Sequence, residues 1–133
     1  MMQSRTSHAE PIPVNVVIVT MDTHLSSAVD RARVSLKQQI PGLNLTLHAA
    51  SEWSGKADRL EHCLEDIAKG DIVIATMLFM EDHFLPILPA LKARRDHCDA
   101  MVCAMSASEV VKLTKIGKFD MDKPASGPLA LLK

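Results

Sequence analysis

Four apolar runs alternate along the chain with stretches patterned for helices. Asn15-Val16-Val17-Ile18-Val19-Thr20 is β-branched and unbroken, the pattern of a strand buried on both faces. Leu25, Ala28, Val29, Ala32, Leu36 and Ile40 then recur at helical spacing, predicting a helix over residues 25–40 with an inward apolar face. Asp22 or Thr23 is placed to cap its start, and Pro41-Gly42 stops it. Residues 43–49 alternate apolar and polar, so they predict a half-exposed edge strand. A second helix is expected over residues 56–69, with Ala57, Leu60, Leu64 and Ile67 inward and Gly70 at its end. Residues 71–79 predict another buried strand. Residues 84–95 predict a helix whose first turn Pro86 and Pro89 leave ambiguous. Residues 100–105 form a fourth strand. Ser106-Ala107-Ser108-Glu109 fits a capping box and opens a helix to about residue 116.

Strand–helix alternation at this spacing implies βαβ units. The expected fold class is α/β: a three-layer, four-stranded parallel sheet, flavodoxin/Rossmann-like, in the order 2-1-3-4. That order puts the two fully apolar strands inside and the alternating one at an edge. Residues 1–13 read as a flexible N-terminal arm, 14–119 as the α/β domain and 120–133 as a connector. The connector is polar and rich in Pro and Gly until Pro128, after which Leu129-Ala130-Leu131-Leu132 is apolar. Pro followed by an apolar run is how a helix begins, so this run is expected to start a further, missing domain. The alternative is a clasp folded back on the domain.

Composition narrows the chemistry. The 133 residues suit one domain with a real core, and 47% are apolar, which favours a globular fold over disorder. A formal charge of -1, with 15 basic residues scattered along the chain, argues against nucleic-acid binding. Three cysteines with no C-x-x-C pair argue against a disulfide framework or a structural zinc site. No apolar run reaches the length of a membrane span, and the first residues lack the apolar core of a signal peptide. The cytoplasm is the expected compartment.

In an open parallel sheet, ligands bind beyond the carboxyl ends of the strands, where the strand order reverses. For order 2-1-3-4 that place lies between strands one and three. Asp22, His24, Glu81, Asp82 and His83 are expected to converge there, with Ser106 and Ser108 closing the side. Carboxylates suit Mg²⁺ and imidazoles suit zinc or iron, so the set is a candidate ligand crevice with no metal assigned. The plainer reading makes Asp22 and Asp82 helix caps. Met21, Met77, Met80 and Met105 fall near the same edge and can either line an apolar slot for a flat macrocycle or pack as core. No G-x-G-x-x-G or Walker A loop is present, and the first strand–helix loop lacks the glycine of a phosphate-cradling loop. No catalytic residue is assigned.

Four blocks together carry a family resemblance: VVIVTMDTHL (residues 16–25), HAASEW (48–53), ATMLFMEDH (75–83) and SEVVKLTKIGKF (108–119). In order and spacing they resemble the N-terminal region of the large H subunit of magnesium chelatases, in the form found in bacteriochlorophyll-making bacteria. The resemblance implies a role in inserting Mg²⁺ into protoporphyrin IX for (bacterio)chlorophyll biosynthesis. It implies as partners the rest of the H subunit, the porphyrin substrate and the AAA+ I and D subunits, which hydrolyse ATP. This segment alone is expected to bind no cofactor and to be inactive, because Mg²⁺, protoporphyrin IX and ATP belong to the whole complex. The large subunit of a cobaltochelatase and a self-contained flavodoxin-like module for a small ligand are the alternatives.

Overall fold

The computed structural model describes residues 12–122. Most of the arm expected over residues 1–13, and of the connector expected over 120–133, lies outside the described residues. Within them the chain forms β1 (Val14–Thr20), α1 (Ser26–Gln39), β2 (Leu43–Ala49), a 3₁₀ turn (Ala50–Glu52), α2 (Ala57–Lys69), β3 (Ile72–Thr76), α3 (Glu81–Phe84), α4 (Leu88–Arg94), β4 (Ala100–Ala104), α5 (Ser108–Val111), β5 (Lys115–Ile116) and β6 (Phe119–Asp120). One sheet holds all six strands in the order β2-β1-β3-β4-β5-β6. The pairs β1–β2, β1–β3 and β3–β4 are parallel, whereas β4–β5 and β5–β6 are antiparallel. The fold is α/β as expected, but the sheet is mixed and six-stranded rather than four-stranded and all parallel.

The extra strands replace most of the expected last helix. The helical pattern after Ser108 continues for only four residues, because Thr114 is drawn into the sheet. Its hydroxyl accepts from the Cys103 amide and donates to the Cys103 carbonyl, both at 2.9 Å, standing in for backbone partners beside β4. Gly117, at φ +57°, opens the two-residue turn to β6. Arg95 then clamps the hairpin: its guanidinium donates to the Leu113 carbonyl and pairs with the buried Asp120 carboxylate. Two other predicted elements shorten for local reasons. The strand expected to reach residue 79 stops at Thr76, because Met77 turns into the left-handed region. The helix expected over residues 84–95 splits into α3 and α4, with Pro86 between them and Pro89 in the first turn of α4.

Register assigns the strand side chains to two faces. One carries Val17, Val19, Val73, Ala75, Met101 and Cys103, all essentially sealed from solvent. Cys63 and Ile67 from α2, Phe84, Ile87 and Leu91 from around α4, and Val110 and Leu113 after β4 pack against it as one core. Gly70, ending α2, is required by this closeness. A Cβ there would lie 2.7 Å from a Val73 methyl and 3.3 Å from one of Val17.

The opposite face is covered differently. Right-handed crossovers send α1 to this side, because β1→β2 and β2→β3 run in opposite directions across the sheet. Here Leu43, Leu45, Ala49 and Thr20 are buried, but Val16, Ile18, Ile72, Ile74 and Val102 are only half-buried. The inward stripe expected on α1 is correspondingly incomplete. Val29 alone is buried, while Ala28, Leu36 and Ile40 are exposed. The helix leans over the edge strand instead. Arg33 Nε donates to the Leu45 carbonyl at 3.0 Å and Lys37 Nζ to the Leu43 carbonyl at 2.9 Å, which occupies acceptors along the open edge of β2.

Two buried threonines make a paired test. Thr114 is bonded on both sides, whereas the Thr20 hydroxyl, fully buried at the end of β1, has no hydrogen-bond partner among the described residues. Thr114→Val leaves the Cys103 amide and carbonyl unpaired and should cost about 1–3 kcal/mol in urea unfolding. Thr20→Val removes an unpartnered hydroxyl at constant shape, so its unfolding midpoint should match or exceed the parent's.

Candidate functional site

The carboxyl edge of the sheet is formed by the loops after β1, β3 and β4. After β1, Asp22 folds back on its own loop. Its carboxylate accepts from the His24 amide at 3.0 Å and from His24 Nδ1. Those two bonds hold the Asp22 carboxyl below the usual carboxylate range. Asp22 therefore does not cap α1, whose first residue is preceded by Leu25 with no side-chain cap. The Met21 carbonyl accepts from Ser51 at 2.9 Å, tying this loop to the 3₁₀ turn after β2.

The loops after β3 and β4 are zipped together. The Met77 amide donates to the Met105 carbonyl at 2.8 Å, and the Ala107 amide to the Leu78 carbonyl at 3.0 Å. The Leu78 amide donates to Ser106 Oγ at 3.0 Å, and that hydroxyl donates on to the Ala104 carbonyl at 3.1 Å. Ser106 is thus spent on the junction rather than on the expected capping box. Ala107 precedes α5 without a side-chain cap, and Ser108 instead donates to the neighbouring Glu109 carboxylate at 3.2 Å. Met77 and Met105 both adopt positive φ, +63° and +48°, at matching strand ends. A non-glycine residue there is strained by about 1–2 kcal/mol, and such strain concentrates at functional edges.

This geometry turns apolar side chains outward. Phe79, Met80 and Met105 are 55%, 57% and 67% exposed. Glu81 and Asp82 are exposed in the short α3, where neither makes a side-chain cap, and His83 is half-buried with Nδ1 unpartnered. The edge therefore gathers Met80 and Met105 as exposed apolar groups and Ser106 as a brace. Of the acids and imidazoles expected there, Asp22 and His24 bond each other. Among the described residues, no group of three or more His, Cys, Asp or Glu side chains is placed to hold a metal ion. No helix of the described residues is long and apolar enough to cross a membrane.

A second polar cluster lies beside β2 and was not singled out from the sequence. His48 on β2 donates through Nε2 to the Asp66 carboxylate of α2 at 2.7 Å; a carboxylate only accepts, so Nε2 carries the proton. His62, one helical turn before Asp66, places Nε2 3.7 Å from the same oxygen and meets the His48 ring edge-on. Arg59 bonds Glu52 at 3.1 Å, and both line a cavity of about 270 Å³ together with Arg33. The side chains of His48 and Asp66 are only 10% and 20% exposed, so the pair clasps the edge strand to α2 in a partly dry setting. Its signal in the sequence was the i, i+4 spacing of His62 and Asp66 opposite an inward-facing strand histidine. Among the described residues no Ser, Thr or Cys side chain bonds to His48, so the cluster lacks the nucleophile of a hydrolytic triad. The cysteines do not supply one. Burial pushes the Cys63 and Cys103 thiols up to about 12 and raises Cys98 as well.

The model of a family described as a domain of unknown function, DUF3479, matches residues 15–133. The chain is 47% identical over 119 residues to the magnesium-chelatase H subunit of Cereibacter sphaeroides and 42% identical over 119 residues to that of Rhodobacter capsulatus. It is 26% identical over 113 residues to the chloroplastic ChlH subunit of the magnesium chelatase of Oryza sativa. The two bacterial alignments cover 90% of this chain and 10% of each relative, and the rice alignment covers 83% and 8%. The chain spans about a tenth of the length of the curated bacterial relatives it matches.

Two measurements check the local chemistry. A double-mutant cycle of His48→Gln and Asp66→Asn should give a coupling of about 1.5–3 kcal/mol, the range for a hydrogen bond to a charged group. A coupling indistinguishable from zero would remove the clasp. With iodoacetamide at pH 8, Cys98 should alkylate first in the folded protein, and Cys63 and Cys103 only after unfolding. A thiol with a pKa near 12 holds only about one part in ten thousand as thiolate at that pH.

Proposed function

The chain belongs to the family of the domain of unknown function DUF3479, and we propose that it is the N-terminal domain of the large, porphyrin-binding subunit of a magnesium chelatase. The observation that carries this reading is the 47% identity to a magnesium-chelatase H subunit over 119 residues. The enzyme of which it is part joins Mg²⁺ to protoporphyrin IX in (bacterio)chlorophyll biosynthesis, in the cytoplasm, with ATP hydrolysed by the AAA+ I and D subunits. Mg²⁺ is the cargo of that reaction and not a resident of this domain.

Insertion is slow without a catalyst because Mg²⁺ dehydrates reluctantly and the ring nitrogens must shed protons. A protein helps by orienting the ring, excluding water and accepting protons. In our reading this domain takes none of the proton or metal steps, and two of its acid–imidazole sets are closed on themselves: Asp22 with His24, and Asp66 with His48. Its contribution is a surface. The carboxyl-edge loops, with Met21, Met77, Met80 and Met105 beside Asp22, His24, Glu81, Asp82, His83, Ser106 and Ser108, form the side turned to the rest of the subunit. Residues 120–133 serve as the connection toward it. The exposed Phe79, Met80 and Met105, the last at a positive φ, favour a contact role over a ligand set.

The test is a segment exchange. The aligned segment of the Cereibacter sphaeroides H subunit is replaced by this chain, and Mg²⁺ insertion is assayed with the I and D subunits, ATP and deuteroporphyrin. The chimera should insert Mg²⁺ at a rate comparable with the parent. A chimera that folds by circular dichroism and gel filtration yet inserts no Mg²⁺ would sink the reading. The isolated chain should leave deuteroporphyrin fluorescence unquenched; stoichiometric quenching would make the edge loops a pocket instead of a contact surface.

A further inference from the structure

The carboxyl edge has a composition of its own. The Met77 and Ala107 amides are taken by the Met105 and Leu78 carbonyls, and the Leu78 amide by Ser106 Oγ. These bonds bring the chain just before Phe79 against the chain just before Ser108, and they leave Phe79, Met80 and Met105 more than half exposed. An exposed apolar patch of this kind marks an interaction surface. Methionine is unbranched and polarizable, so such a surface adapts to the side chains of a partner. Charge at the edge is one-sided. Residues 21–25, 77–85 and 105–109 include Asp22, Glu81, Asp82 and Glu109 but no Lys or Arg, although the whole chain carries 15 basic against 16 acidic residues. Asp22 is spent on His24. Glu81, Asp82 and Glu109 are exposed, and among the described residues their carboxylates accept only from the Ser108 hydroxyl, which bonds Glu109.

We infer that this edge docks a basic amphipathic helix of a partner polypeptide, with apolar side chains against Phe79, Met80 and Met105 and with Lys or Arg against Glu81, Asp82 and Glu109. Charge complementarity selects the occupant. An apolar surface rimmed by carboxylates attracts Lys and Arg and repels phosphate, which disfavours nucleic acid and anionic lipid. A second copy of this chain would set the same acids against one another, because a two-fold contact joins like patches. An extended strand would bind through backbone groups, and the amides and carbonyls that join these loops are already taken. A helix needs none of them. It binds through side chains that recur every three or four residues on one face, apolar along the middle and basic at the sides. The inference rests on the chelatase reading only in taking this edge as a contact surface, and it adds the chemistry of what is contacted.

The experiment titrates the full chain against a fluorescein-labelled peptide of about five helical turns, with Leu on one face and Lys on the other, and follows anisotropy. Saturable binding that weakens as salt rises is expected. A peptide with Glu in place of Lys, and one of the same composition with its Leu positions scattered, should each bind about tenfold more weakly. Phe79→Ser with Met80→Ser should weaken binding of the Leu/Lys peptide about tenfold while far-ultraviolet circular dichroism stays unchanged. Glu81→Gln, Asp82→Asn and Glu109→Gln combined should do the same. Ile116→Ser with Phe119→Ser, at exposed apolar positions of the β5–β6 hairpin, should leave binding unchanged. No saturable binding, equal binding of the Glu peptide, or an equal loss in the hairpin variant would each overturn the proposal. The segment exchange reads the chelatase assignment separately. An active chimera whose isolated chain binds no peptide removes this inference alone. A folded, inactive chimera whose isolated chain still binds the peptide removes the chelatase reading and leaves the docking chemistry standing.

Discussion

The contact between the sealed sheet face and α2 governs the rest of the structure. Val17, Val19, Val73 and Ala75 meet Cys63 and Ile67 closely enough that residue 70 must be glycine, with Val73 2.7 Å from where a Cβ would stand. Because α2 is pressed so near, the edge strand β2 is held twice: by its pairing to β1 and by the bond from His48 to Asp66. The same closeness fixes the amino end of the sheet. Asp71, directly after Gly70, accepts the Asn15 amide through its carboxylate at 2.8 Å, and its own amide donates to the Asn15 carbonyl at 2.8 Å. Arg94 then reaches back to the Gly70 carbonyl at 2.9 Å, locking α4 to the same corner. Rigid packing on one face is what allows the loops at the opposite end of the strands to carry strain.

How much of this was legible in the sequence depends on the range over which each signal acts. The four main strands and α1 and α2 were legible, because unbroken β-branched runs and helical spacing are local patterns. The hairpin of β5 and β6 was not. Its strands are two residues each, and what recruits them is Thr114 bonding β4 and Arg95 clamping Asp120, both long-range in sequence. The capping residues misled for a related reason. Asp22 and Ser106 are good caps by type, but His24 and the Leu78 amide compete for the same oxygens and win on proximity set by the fold. The inward stripe on α1 failed because periodicity shows that a face is apolar, not that anything stands opposite it.

The candidate site divides along the same line. The sequence located the carboxyl edge from topology alone, and the structure does bring the loops of Met77 and Met105 into direct backbone contact there. It could not show that Asp22 would pair locally with His24, since that is a choice between partners two residues apart and partners across a crevice. The short-range partner costs less chain entropy and wins. The imidazole–carboxylate cluster of His48, His62 and Asp66 was missed because its members come from a strand and a helix 18 residues apart, and only the helical half leaves a spacing to read.

These facts bear on how a domain contributes to a larger catalyst. A site for metal or proton transfer needs groups left unpaired and converging, and here Asp22 is taken by His24 and Asp66 by His48. Apolar side chains stand exposed at the carboxyl edge, in Phe79, Met80 and Met105, and Val16, Ile18, Ile72, Ile74 and Val102 beside α1 are only half-buried. Arg33 and Lys37 of α1 are committed to the β2 edge, where they block unwanted strand pairing. Guarding the strand edge in this way suppresses association through backbone hydrogen bonds. Under the proposed reading such a domain contributes by contact rather than by chemistry, with the exposed Phe79, Met80 and Met105 as the contact.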